Sequence, residues 1–181
     1  MLRSRTLPAT PCTPHSVSSR RSAWCSSGRY PADAAGPPNQ PPAGGGPMTT
    51  EVEALEQFFA AINRNDMQAI TRHFDPQIVR VEPEGFPTVG TYRGIAAVQE
   101  NVRTGRGTWA EGTCEPEKFL VHGDKVVVYL HAWVRLKNAT EWTGGRFADG
   151  FMFRGGRIVE YRTFAERAEA LQWAGIALPA P

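Results

Sequence analysis

The sequence predicts an α+β fold, with N-terminal helices packed on one face of an antiparallel sheet. Three observations predict it. Apolar residues recur at helical spacing between 51 and 74. From 108 onward the pattern changes to strands joined by tight turns. The first 47 residues carry no hydrophobic period at all. A chain of 181 residues has room for one ordinary domain, placed here at 48–181.

The tail, 1–47, differs sharply in composition. It holds all seven serines, nine of the 15 prolines and none of the nine phenylalanines. Such a segment cannot bury enough apolar surface to offset the entropy of ordering, so it reads as disordered. Its Arg-rich, acid-poor makeup fits a transit peptide. The other reading is that the protein begins at Met48. Five of the 20 basic residues and one acid lie in the tail, which leaves 15 basic against 17 acidic residues in the domain.

The elements follow in order. Thr50 to Glu53 reads as a capping box. Leu55, Phe58, Phe59 and Ile62 then mark an amphipathic helix from 51 to 64. Asn65-Asp66 caps a second short helix with Met67, Ile70 and Phe74 inward, and Asp75-Pro76 stops it. Gln77 to Glu82 is a short strand. Pro83, Gly85, Pro87 and Gly90 make a loop. Thr91 to Gly94 is a brief extended piece before a third helix, 95–104. Cys114–Val121, Lys125–Leu136, Trp142–Arg154 and Arg157–Phe164 read as strands, with Gly155-Gly156 turning the last pair. Glu166 to Trp173 closes as a helix ended by Gly175.

Several function classes are excluded. The domain has no basic stripe for nucleic acid and no apolar run long enough to span a membrane. It contains no serine, so a serine nucleophile is unavailable. Only Cys114 lies in the domain, and His73, His122 and His131 lack ligand spacing, so no metal or other cofactor is expected. Asn138-Ala139-Thr140 matches a glycosylation sequon, which stays idle in the reducing, cytoplasmic setting expected here.

Two carboxylates draw attention. Asp149 alternates with Phe147, Phe151 and Phe153, so all four share one strand face. Three Phe imply burial, and a buried carboxylate is costly unless paired, protonated or facing a ligand. Burial can raise its pKa by roughly 3–5 units and make it a donor at neutral pH. The alternative is a structural Asp held by a backbone amide or by Arg146. Glu82 ends the first strand before Pro83, with Arg80 on the same face as partner or as anion holder. His131 alternates with Tyr129, Trp133 and Arg135, and reads as a pocket base or a dimer-face residue. Tyr92 and Trp133 read as core or rim aromatics.

The stretches Phe58 to Asp66, Tyr92-Arg93-Gly94 and Asp149 to Val159 resemble the SnoaL-like branch of the NTF2-like superfamily, over essentially all of 48–176. The resemblance implies a cone: a curved antiparallel sheet wrapped around three helices and enclosing a pocket. It also implies dimerisation through the outer sheet face. By resemblance to ketosteroid isomerases, Glu82 is placed as a general base. Asp149 is placed as the acid that stabilises an enolate, a role those isomerases give to a buried, protonated carboxyl. Phe58 stands where those isomerases have a tyrosine donor, so half of their oxyanion hole is missing. Limonene-type epoxide hydrolases need an Arg-bridged acid pair with Tyr and Asn; Arg146 or Arg162 is the candidate bridge, but their exact pattern is absent from this sequence.

Two readings of function remain. One is a cofactor-independent isomerase, cyclase or dehydratase acting on a small hydrophobic carbonyl compound. Glu82 and Asp149 would be catalytic, with Phe58, Arg80, Tyr92, His131, Trp133, Phe147 and Phe151 binding the substrate. The other is a non-catalytic module that binds a ligand or dimerises, with the acids paired to Arg80 and Arg146.

Overall fold

The structure is a computed structural model that describes residues 48–178, with side chains from Glu51 onward. The tail lies outside the described residues, as does the Thr50 side chain of the expected capping box; the helix itself begins at Met48, ahead of that cap.

Helix α1 (Met48–Arg64) is followed by a single turn, α2 (Met67–Ile70), whose cap Asp66 accepts a hydrogen bond from the Ala69 amide at 3.0 Å. Strand β1 (Phe74–Glu82) begins earlier than the sequence suggests, so Phe74 opens a strand rather than closing a helix. Then come β2 (Gly90–Arg93), α3 (Ile95–Gly107), β3 (Trp109–His122), β4 (Lys125–Leu136), β5 (Trp142–Arg154), β6 (Arg157–Phe164) and α4 (Arg167–Ala174). The β5–β6 turn is Gly155-Gly156, both at positive φ, as a two-residue hairpin requires.

The strands form one open sheet in the order β2-β1-β6-β5-β4-β3. It is mixed, not purely antiparallel, because β1 runs parallel to β6. No hairpin joins these two strands, so no turn dictates their sense; the alternating inward residues fix only which face of each is buried. The parallel register sets Arg80 opposite Tyr161, and the β5–β6 register sets Asp149 opposite Thr163 and Phe151 opposite Tyr161. Cross-strand neighbours touch, so these rows put the polar side chains together.

The main core lies on the inner sheet face. Leu55, Phe58, Phe59 and Ile62 of α1 and Val98 and Val102 of α3 pack against Ile78, Val126, Val128, Leu130, Phe151 and Phe153. Asn63, near the end of α1, ties that helix to β3: its side chain accepts from the Cys114 amide at 2.8 Å and donates to the Cys114 carbonyl at 3.1 Å.

The last helix departs from the expectation that helices cover one face. α4 packs on the outer face, where Ala170 and Ala174 meet Val127 and Ala148, with Trp173 and Phe164 alongside. Small residues make this possible. A Cβ added at Gly150 would lie 2.6 Å from the Trp173 ring, closer than side chains tolerate.

Candidate functional site

The inner face of β5 is graded along its length. Phe151 and Phe153 are sealed in the core, while Asp149 and the half-buried Phe147 reach a cavity of about 90 Å³ between the sheet, α1 and α3. About 10–15 Å³ admits one water, so the space takes a small ligand rather than a large one. Glu82, Arg80, Asn101, Tyr161, Thr163 and Trp109 also line it.

Burial and pairing define two halves of this site. Glu82 Oε2 accepts from the Arg80 guanidinium at 3.2 Å, from the Thr88 hydroxyl at 2.6 Å and from the Asn101 amide at 3.2 Å. Arg80 also donates through Nε to the Asn101 side-chain oxygen. Its plane lies on Tyr161, with Cζ 3.8 Å from the ring centroid. Asp149 is 2% exposed. The Tyr161 hydroxyl donates to its Oδ2 at 3.0 Å and the Thr163 hydroxyl to its Oδ1 at 2.7 Å.

These surroundings pull the Asp149 proton in opposite directions. Burial raises its pKa. The Arg80 charge and the bonds from Thr163 and Tyr161 oppose that, and the nearby Glu82 charge adds to it. The balance stands at about 6, up from 3.8. The carboxyl thus sits between an ordinary acid and a fully neutral donor: burial favours the proton, and two hydroxyls aimed at its oxygens favour the anion. Burial drives the Tyr161 phenol well above its usual value, so it stays a donor. The Cys114 thiol, also in the lining, is likewise pushed well up by burial and stays protonated.

The remaining candidates separate. Phe58 and Phe151 are core residues that pack on the Tyr161 ring, edge-on at 5.6 Å and stacked at 4.6 Å, and neither lines the cavity. Tyr92 lines a separate, more open pocket of about 260 Å³ beside α3 and donates to the Thr88 carbonyl at 3.0 Å. His131 and Trp133 lie on the outer sheet face, because Leu130 and Ala132 occupy the inward positions of β4. Arg146 also points outward and pairs with Glu117 at 2.8 Å, so it holds neither acid. Arg162 pairs with Glu160. The arginine between the two acids is Arg80. Thr88, Asn101, Tyr161 and Thr163 do not stand out in the sequence. Only the alternation of Tyr161 with Thr163 on β6 offers a signal, and it needs the β5–β6 register to be useful.

Comparison with known proteins agrees with this architecture. The family model of the SnoaL-like domain matches residues 55–161. The chain belongs to this family. No curated protein matches this SnoaL-like chain. Among solved structures, an NTF2-like protein from Burkholderia thailandensis E264 is 25% identical, with a TM-score of 0.58 over 67% of this chain and 97% of its own. An NTF2-like protein of unknown function from Burkholderia pseudomallei K96243 is 21% identical, with a TM-score of 0.59 over 69% and 97%. TerC, co-crystallised with polyporic acid, is 22% identical, with a TM-score of 0.58 over 69% and 97%. In this SnoaL-like protein no described helix is long and apolar enough to cross a membrane.

Proposed function

We propose that this protein binds a small carbonyl compound in the cavity and that Asp149, rather than Glu82, takes a proton from it. One observation carries the reading: Asp149 is buried, lines the cavity and holds its proton near pH 6. A base poised near the working pH is the efficient kind. Glu82 is engaged on Oε2 by three donors, which suits a group that fixes Arg80 and Asn101 in place. Arg80 is then the cation nearest to negative charge developing on a bound oxygen. Isomerisation, cyclisation and dehydration share this proton transfer. The ligand's apolar part would meet Phe59, Phe86 and Phe147.

The test is exchange of the α-protons of a panel of small cyclic ketones in D2O, followed by NMR. The expected result is acceleration above about pH 6, lost by about 10²–10⁴-fold in Asp149→Asn. Equal rates in both proteins refute the assignment. A second reading has its own support, since Arg80 stands between two acids with a Tyr and an Asn in one cavity. That set suits activation of water toward an epoxide. Small cyclic epoxides in the same panel separate the readings. Ligand binding without turnover of either class would favour a non-catalytic module. The finer proposals are a single domain over 48–181, a homodimer through the outer sheet face and a cytoplasmic setting.

A further inference from the structure

The helix position that resembles a tyrosine donor is Phe58, which carries no hydroxyl. Yet the Phe58 ring stands edge-on to a tyrosine on the opposite side of the core, Tyr161 of β6, at 5.6 Å. The Tyr161 hydroxyl reaches Asp149 at 3.0 Å, and its ring is clamped between Arg80 on one side, at 3.8 Å, and Phe151, stacked at 4.6 Å. A ring held by a guanidinium, by a stacked Phe and by an edge-on Phe has little freedom to turn its hydroxyl elsewhere. Tyr161 thus touches Arg80 directly and Asp149 by hydrogen bond.

We infer that Tyr161 is a positioning residue of this pocket: its hydroxyl, delivered from β6 instead of α1, fixes the Asp149 carboxylate and links it to Arg80. The inference rests on the reading of Asp149 as proton acceptor. It adds that the acceptor's strength and aim are set by a phenol arriving from a different element than the one the resemblance singles out.

The groups that face Asp149 decide how this can be measured. They are Arg80 and Glu82 from β1, Cys114 from β3, and Tyr161 and Thr163 from β6. α1 presents Phe59 and Ile62 to the cavity, and α3 presents Asn101 and Arg106, whose guanidinium donates to the Ile62 carbonyl and lies over the Trp109 ring. Among the charged groups only Arg80 favours the carboxylate. The two hydroxyls are its only hydrogen-bond donors among the described residues. A bond to an ionised group favours the charged form, so losing the Tyr161 hydroxyl raises the midpoint at which Asp149 takes up its proton.

The experiment follows the Asp149 side-chain carboxyl carbon by NMR titration in the full chain without ligand, in wild type and in Tyr161→Phe. Phe retains the ring contacts with Phe58, Phe151 and Arg80. The expected result is a midpoint about one pH unit higher in the variant. The pH profile of ketone exchange should move by the same amount. A midpoint that moves by less than about 0.3 unit in a folded variant overturns the inference. Should Tyr161→Phe fail to fold, 3,5-difluorotyrosine at position 161 keeps the ring and hydroxyl but makes the phenol a stronger donor. The midpoint is then expected to fall, and an unchanged or raised midpoint overturns the inference. Because the titration uses ligand-free protein, its failure leaves the assignment of Asp149 standing. An inactive wild type in the exchange assay sinks that assignment without touching the titration.

Discussion

Replacing Asp149 by Asn is expected to flatten part of the pH dependence of stability. The folded-state pKa is about 6 against 3.8 for the free side chain. Below the lower value the acid is protonated in both states and costs nothing. Between the two values the folded chain keeps a proton that the unfolded chain has released. Above the higher value both are ionised, and the folded state carries the full penalty of a buried charge. Stability from this group is thus complete at low pH and lost as pH rises through 6. The gap is about two units, and at 1.36 kcal/mol per unit the loss is ~3 kcal/mol. The amide of Asp149→Asn carries no charge at any pH, so subtracting the variant's curve cancels the other titrating groups. Urea unfolding followed by tryptophan emission at intervals from pH 4 to 8 measures both. Wild type is expected to lose about 2 kcal/mol relative to the variant between pH 4 and 7, the first part of the loss falling below pH 4. A constant difference, or one that grows in the other direction, refutes the argument and makes Asp149 an ordinary acid held ionised by its partners.

Other outcomes follow from the same contacts. Arg80→Met leaves Glu82 buried without its cation, so stability is expected to fall by about 3–5 kcal/mol in urea unfolding, and Arg80→Met/Glu82→Met should recover most of it. Gly150→Ala drives a methyl into the Trp173 ring and should cost about 1–3 kcal/mol, read as a lowered Tm, while Gly156→Ala probes only a turn. Trp133 and Trp142 are 50% and 43% exposed and stacked 6.4 Å apart on the outer face. If that face joins two copies, light scattering after gel filtration should show a dimer that Trp133→Glu/Trp142→Glu converts to monomer with its fold intact. A monomeric wild type refutes the dimer.

How much is legible in the sequence varies by element. Helix α1 and the β5–β6 hairpin announce themselves by Leu55/Phe58/Phe59/Ile62 and by Gly155-Gly156, since periodicity and turn chemistry are local. The inward face of β5 is legible for the same reason. Where along that face the core ends and the cavity begins is not, because it depends on which helix residues stand opposite; Phe151 faces Phe58 and Phe59, and Phe147 faces the loop residue Phe86. His131 passes for a pocket candidate in the sequence because β4 is apolar on both faces, with α4 covering part of the outer one. Asn101 stays invisible because only the packing of α3 on β1 brings it to Glu82. Tyr161 reaches Asp149 through the β5–β6 register but Arg80 through the parallel β1–β6 pairing, which has no turn to announce it.

Trp173 leans on Gly150 from outside the sheet, one residue from the acid that points inward. The C-terminal helix therefore works as a splint behind the strand that holds Asp149. A splinted strand cannot bow outward, so the width of the cavity at its acidic wall is governed from behind. Trimming the chain before Trp173 would slacken that wall and blur the aim of the carboxylate while leaving every lining side chain in the sequence.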